Sequence, residues 1–224
     1  MDYETLYVLY QSRKTLLSIL SGRGYNTTPF EKFGPIEINA MAAAGEGSMQ
    51  MELEKKGSTE DNTPANAIAE SSGITKCRVI YTFDRIKNRL GPFISDIEET
   101  IDPKTTEVIV MLVSDTIAEA FHTAALSAYT NRKQKLRISF FQVHQLVNNP
   151  LEHMLVPKHE RVPTAEHDAL MQKYKIKSKA NLPLIRFHED MIARILGLMP
   201  GDIVKITSAS PSAGEYLKFR VCVP

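Results

Sequence analysis

Apolar positions change their spacing several times along this chain, and each change marks an element. Between residues 3 and 21, Leu6, Leu9, Tyr10, Leu16, Leu17 and Leu20 recur at helical spacing, so the segment reads as a helix with one apolar face. Arg13 and Lys14 fall at the edge of that face and read as a solvated flank, with a phosphate contact as the alternative. Gly22 stands where a left-handed C-terminal cap is expected. From 25 to 75 the pattern dissolves. Gly34, Gly45, Gly47, Gly57 and Gly73 interrupt it, and 40–48 and 57–72 read as exposed loops. One island, Met49 to Glu54, alternates apolar and polar residues as a strand does.

Order returns at Thr75. Residues 77–83 alternate and are rich in β-branched and aromatic side chains, which predicts a strand. A helix follows over 85–100, with Ile86, Leu90, Phe93, Ile94 and Ile97 as its stripe. Pro92 within it predicts a kink or a late start. Val108 to Val113 is a continuous apolar run, as in a strand buried on both faces. Ser114 is the expected N-cap of the next helix, whose stripe is Ile117, Phe121, Ala124, Ala125 and Ala128. Leu136 to Phe141 is a third strand. This alternation predicts an α/β unit with parallel pairing. Asn148-Asn149-Pro150 is a boundary, giving domains 1–149 and 150–224 with a loop-rich insert at about 40–72.

The second domain reads as α+β. Thr164 is its expected helix N-cap, and Lys173, Lys175, Lys177 and Lys179 follow the acids of that helix's first turn. A short helix over 189–196 ends at Gly197. Two strands, Asp202 to Thr207 and Glu215 to Val223, are joined by a loop ending at Gly214. Leu217, Phe219, Val221 and Val223 share one face of the last strand, and Tyr216, Lys218 and Arg220 the other.

Composition adds exclusions. The chain has 224 residues and a formal net charge of +1, so no global field draws it onto nucleic acid. Residues 1–150 hold 16 basic and 18 acidic side chains, a net of −2, and 151–224 hold 11 and 8, a net of +3. Two local basic clusters stand out, Lys76 to Arg89 and Arg132 to Arg137, and solvated faces are the favoured reading of both. No run of about 18 apolar residues occurs, so no membrane span is expected. Cys77 and Cys222 fit neither a disulfide framework nor a metal motif and read as buried thiols in a reducing compartment.

Candidate chemistry is sparse. No phosphate-binding loop, nucleophile elbow or metal spacing occurs, and no cofactor is expected. His153, His159 and His167 are separated by six and eight residues, which matches no ligand motif. Structural hydrogen bonds from His153 and His159 are expected at the start of the second domain. Glu54-Lys55-Lys56, with Glu37 upstream, fits a minimal metal-dependent nuclease pattern, in which carboxylates hold the metal and lysine steadies the water.

The C-terminal stretch carries a long ordered series. It comprises His153, Leu155-Val156-Pro157 with His159, Tyr174, Leu182-Pro183 with Ile185, Ala193-Arg194 with Gly197, Gly201 with Val204-Lys205-Ile206, and Ser210, Ala213-Gly214, Tyr216 and Arg220. This series resembles the shared fifth-largest assembly subunit of eukaryotic RNA polymerases and its archaeal counterpart, which consists essentially of this module alone. Tyr7, Arg13-Lys14-Thr15 and Arg23-Gly24-Tyr25 extend the likeness to the eukaryotic form. Three positions depart from the family's pattern: Leu184 and Ser208 replace arginines, and Met191 replaces a proline.

The resemblance implies a two-domain protein: an N-terminal α/β jaw of nuclease-like topology without catalytic residues, and a small α+β assembly domain. It implies a non-catalytic subunit of a multisubunit DNA-dependent RNA polymerase, part of a hetero-oligomer. The expected partners are the largest subunit, an omega-like small subunit and, weakly, downstream duplex DNA. Assembly contacts are expected at His153, Val156, Pro157, His159, Leu182, Pro183, Arg194, Gly197, Gly201, Val204, Lys205, Ile206, Ser210, Gly214, Tyr216 and Arg220. Ser114, Thr116, Arg132, Lys133 and Lys135 would face DNA, with Asp115 between the first two expected to repel phosphates. The divergence points to a giant-virus homologue, placed in host cytoplasm or virion, ahead of a nuclear protein of a divergent protist. The alternatives are a free-standing metal-dependent nuclease or nucleic-acid-binding protein, and a regulator that borrows the module to occupy the subunit's place.

Overall fold

The computed structural model describes residues 2–56, 73–130 and 135–224. It divides into two compact units, one holding the described residues up to Asn149 and the other running from Pro150 to Pro224.

In the first unit, helix α1 (Tyr3–Gly22) starts at Asp2, whose carboxylate accepts the Tyr3 N–H at 2.9 Å. Leu9, Leu16 and Leu20 are buried, as the spacing predicts, and so is Arg13, which is therefore not a solvated flank. The cap also differs. Gly22 remains helical, because the next amide, Arg23 N–H, still bonds back to Ile19 and Leu20 carbonyls. The left-handed residue is Gly24, at φ +88, from which Tyr25 N–H returns to the Leu20 carbonyl.

Helix α2 (Pro35–Ala44) corrects the reading of 40–48 as loop. It has no apolar stripe, since only Ile38 is buried. Pro35 at its first position and the alanines at its end supply the helical preference instead. Strand β1 (Met51–Glu54) follows, with Met51 and Leu53 inward. The expected loop at 57–72 lies outside the described residues. Strands β2 (Lys76–Thr82), β3 (Thr106–Leu112) and β4 (Arg137–Gln142) pair in parallel, and β1 pairs antiparallel with β2, giving the order β1-β2-β3-β4. All seven residues of β3 are buried, as a strand covered on both faces requires.

Helix α3 (Leu90–Thr100) starts late, after a short 3-10 turn at Lys87–Arg89. Pro92 thereby falls in the first turn, where no intrahelical N–H is lost. Helix α4 (Glu119–Thr130) starts five residues beyond Ser114, which is not its cap. The intervening chain is held elsewhere: the buried Asp115 carboxylate accepts Ile86 N–H at 2.6 Å and Lys87 N–H at 3.1 Å. Ile117 is thus outside the helix, while Phe121, Ala125 and Ala128 pack inward, with Phe121 edge-on to Phe140.

The second unit is built on a four-stranded sheet, not two strands. Its order is β5 (Lys158–Arg161), β7 (Ile203–Ser210), β8 (Gly214–Val223), β6 (Leu184–Arg186). The missed strands β5 and β6 are short edges, β5 wholly polar and β6 only three residues long, and backbone pairing to β7 and β8 makes them strands. Helix α5 (His167–Lys173) follows a 3-10 turn that contains Thr164, which makes no side-chain cap; Pro163 already fixes the turn's start. Helix α6 (Met191–Leu196) is capped by Asp190 and ends at left-handed Gly197. Val162, Leu182, Ile203 and Val221 form the core, with Leu170, Ile176, Phe219 and Val223 against it.

Candidate docking interface

Strand alternation divides the second unit's sheet into two faces. Ile203 and Val221 point into the core. The residues between them in register, His159 with Ile206 on β5 and β7, and Ile206 with Lys218 on β7 and β8, point to the other side. There they form the floor of a groove of about 310 Å³. Its walls are Leu155 to Pro157, Asp190 and Ile192, with Ser208 and Arg220 toward the hairpin end.

The groove's shape depends on local hydrogen bonds. Val156 N–H closes a turn on the His153 carbonyl at 2.8 Å, and Leu155 N–H reaches His153 Nδ1 at 3.2 Å. His159 Nδ1 lies 2.6 Å from the Pro157 carbonyl. This turn pushes Met154 and Leu155 outward, 92% and 78% exposed. Leu184, Tyr216 and Leu217 are also exposed, at 54%, 55% and 44%. Large exposed apolar side chains gathered on one small unit mark an interaction surface. Arg220 donates to the Leu184 carbonyl at 3.3 Å, tying the β8 side of the groove to β6.

The expected assembly residues separate into two kinds. Val156, Pro157, His159, Ile206 and Arg220 line the groove, and Tyr216 stands exposed beyond it under the Lys218 ammonium. Others hold the frame. Leu182, Val204 and Arg194 are buried. Burial lowers the Arg194 pKa to about 10, with the Asp190 carboxylate partly opposing, and its guanidinium donates to Met191 Sδ at 3.4 Å. The Pro183 carbonyl accepts Val221 N–H, and Lys205 pairs with Glu160 at 3.2 Å. Gly197, Gly201 and Gly214 take positive φ, and Ser210 Oγ accepts Ala213 N–H inside the hairpin turn. Of the departing positions Ser208 lines the groove; Leu184, next to the lining Ile185, points to the opposite side of β6, and Met191 lies between the lining Asp190 and Ile192.

The residues expected to face DNA are in the first unit. Ser114 and Thr116 are exposed at the C-terminal end of β3. Lys135 lies over the Tyr129 ring, and Arg132 and Lys133 fall outside the described residues. Asp115, expected to repel phosphates, is buried, and its carboxylate accepts two backbone N–H groups. Those amides belong to a segment with exposed Arg85, Lys87 and Arg89, so Asp115 draws a basic loop alongside Ser114 and Thr116.

Among the described residues no three His, Cys, Asp or Glu side chains are placed to hold a metal ion. Glu54 pairs at the surface with Lys76 at 2.9 Å, and Glu37 belongs to the first turn of α2. Both cysteines are buried thiols, and burial foremost raises the pKa of each, to about 12 for Cys222. His167, assigned no role by its spacing, is buried with Nε2 at 3.2 Å from the Val162 carbonyl and Nδ1 at 2.8 Å from Lys179 Nζ. No helix among the described residues is long and apolar enough to cross a membrane.

The family model for the C-terminal domain of RNA polymerase Rpb5 matches residues 148–222. The subunit named Rpo5 of a DNA-directed RNA polymerase, from Pyrococcus horikoshii, is 45% identical over 75 residues, which span 34% of this chain and 89% of that protein. This chain belongs to the Rpb5 family. The whole length is matched by the rpabc1 subunit of DNA-directed RNA polymerases I, II and III from Dictyostelium discoideum, 29% identical over 98% of this chain and 100% of the relative. The corresponding Caenorhabditis elegans subunit is 25% identical over 97% and 96%. The strong Rpb5 match therefore falls on the unit with the groove, and the first unit is matched more weakly.

Proposed function

We infer that this chain is a non-catalytic subunit of a multisubunit DNA-directed RNA polymerase. The observation that carries this is the 75-residue match spanning 89% of an archaeal polymerase subunit, on a unit rich in exposed apolar side chains. The matched relatives are named as polymerase subunits, which favours this reading over the nuclease alternative.

In this reading the groove face docks on the largest subunit, beside an omega-like small subunit. Burial of Leu155 and Tyr216 on a partner stabilises both chains, because whatever binds only the folded form draws the equilibrium toward it. The first unit serves as a jaw. Its three parallel strands with one antiparallel edge support the expected nuclease-like topology. Ser114, Thr116, Arg85, Lys87 and Arg89 at the C-terminal ends of β2 and β3 approach downstream DNA through its phosphates, a contact that carries no sequence preference.

The test uses the full chain with Leu155→Asp and Tyr216→Asp together. Both side chains are exposed, so the fold is retained. Recovery of the largest subunit with this chain falls at least about ten-fold, the effect of burying unpaired carboxylates in an interface. Unchanged recovery would show that another surface docks.

A further inference from the structure

One face of α1 is only partly covered by its own unit: Tyr3, Tyr7 and Lys14 are exposed, Tyr10 and Ser21 half-buried, and Leu17 buried. Tyr3, Tyr7, Tyr10, Lys14, Leu17 and Ser21 follow one another at alternating four- and three-residue steps. This is the spacing of a coiled-coil seam. The buried face, with Leu9, Ser12, Leu16 and Leu20, lies on the other side of the helix, and Leu17, also buried, stands where the seam meets the segment of Phe30, Phe33 and Ile38. Tyr3 and Tyr7 are 81% and 50% exposed. Tyr10, Lys14, Leu17 and Ser21 line a cavity of about 540 Å³, whose far wall is Phe30, Phe33 and Ile38.

Arg13 lies in the same wall and is 1% exposed. Its Nη1 donates to the Met49 carbonyl at 3.4 Å, its charge acts on the buried Tyr81 hydroxyl, and its guanidinium sits 5.9 Å from the Phe33 ring centre. Among the described residues its Nε has no hydrogen-bond partner. The acid that lines the cavity, Glu31, is engaged by the Thr27 hydroxyl. A buried guanidinium with an unmet donor is costly unless an anion reaches it. Lys14 beside it, exposed, adds a second positive charge at the mouth. The seam belongs to a helix of 20 residues, roughly 30 Å long at about 1.5 Å per residue. That length exceeds a small molecule and matches a helix.

We propose that the Tyr3–Ser21 seam docks one α-helix of another polypeptide. That helix carries aliphatic side chains at the same spacing and one carboxylate at the step that reaches Arg13 and Lys14. The proposal rests on the reading of this chain as a polymerase subunit only through its test, which uses the assembled complex.

In the full chain, photoreactive p-benzoylphenylalanine is placed at Tyr7 and, separately, at Tyr216 on the second unit. Each complex is isolated and irradiated, and the cross-linked peptides are sequenced by mass spectrometry. Tyr7 is expected to join one segment of another subunit that bears Asp or Glu within a seven-residue apolar repeat. Lys14→Glu, at an exposed position, lowers that yield about ten-fold, the size of one lost charge-assisted contact, and leaves the Tyr216 cross-link unchanged. The seam is overturned if Tyr7 stays silent while Tyr216 reacts, or if Lys14→Glu has no effect. Joining to nucleic acid, to a second copy of this chain or to a segment without an acid overturns it equally. In all these cases the polymerase reading stands. Silence at both positions removes that reading and the seam with it.

Discussion

Glu107 is a buried charge that ties two elements of the first unit together, and Glu107→Gln measures how far the unit depends on it. The carboxylate stands at the start of β3, 8% exposed. It accepts Arg23 Nη2 and Tyr25 Oη–H, each at 2.7 Å. The arrangement ties the exit of α1 to the sheet. Burial by itself would push the Glu107 carboxyl up, but the Arg23 charge and the two hydrogen bonds outweigh it and hold the carboxyl below its ordinary range. For Arg23, burial opposes the charged form, and Glu107 overrides it and raises the pKa. Glutamine keeps the shape and one acceptor but leaves the guanidinium unmatched. Breaking one side of a buried pair costs about 3–5 kcal/mol. Since the Arg23 side chain retains 20% exposure, water offsets part of the loss, and the lower end applies, about 3 kcal/mol. For a domain of this size that lowers the melting temperature by roughly 6–12 °C. The assay is calorimetric unfolding of the full chain with and without the substitution, between pH 7 and pH 3. A carboxylate with a depressed folded pKa stabilises above its unfolded pKa, and the contribution is lost as pH falls through the folded value. The gap between parent and variant must therefore be widest at neutral pH and close in acid. A shift under about 2 °C at pH 7, or a gap that persists unchanged at pH 3, refutes the account.

Two further substitutions test separate elements. Gly214→Val places a β-branched side chain at φ +72 in the turn between β7 and β8, at a cost of roughly 1–2 kcal/mol; complex yield should fall, and an unchanged yield removes the argument that the hairpin turn matters for docking. Asp115→Ala frees the two amides of Ile86 and Lys87, costs about 1–2 kcal/mol as a lost cap does, and should accelerate amide hydrogen exchange at 86–89; unaltered exchange there would show that the carboxylate is not what holds that loop.

Much of the first unit was legible because its strands are long and its burial is lopsided. The all-apolar run at 108–112 admits little besides a strand covered on both faces, and β3 is that strand. Elements set by backbone pairing or by a single residue escaped. Strand β5, Lys-His-Glu-Arg, contains no apolar residue, and only pairing with β7 makes it a strand. Helix α2 has one buried residue and therefore no readable periodicity. Ser114 looked like a cap because it follows a strand and precedes an apolar stripe, while the capping acid is its neighbour Asp115, acting on amides 28 and 29 residues earlier. A side chain that caps a distant segment leaves no local signal.

The residues expected to dock show a different limit. The ordered series from His153 to Arg220 mixes two physical roles that look alike in one dimension. Val204 and Ile206 lie two apart on β7 and on one side of the sheet, yet Val204 is fully covered while Ile206 reaches the groove floor. No spacing rule encodes where along that side the groove begins. The glycines are recognisable as turn formers, but their task is to aim β7 and β8 so that Ser208, Lys218 and Arg220 meet Pro157 and Asp190 across the groove. A motif of this kind therefore describes the frame and its contact surface together. Exposure separates them, and it places Met154, Leu155, Leu184 and Tyr216 where a partner can cover them.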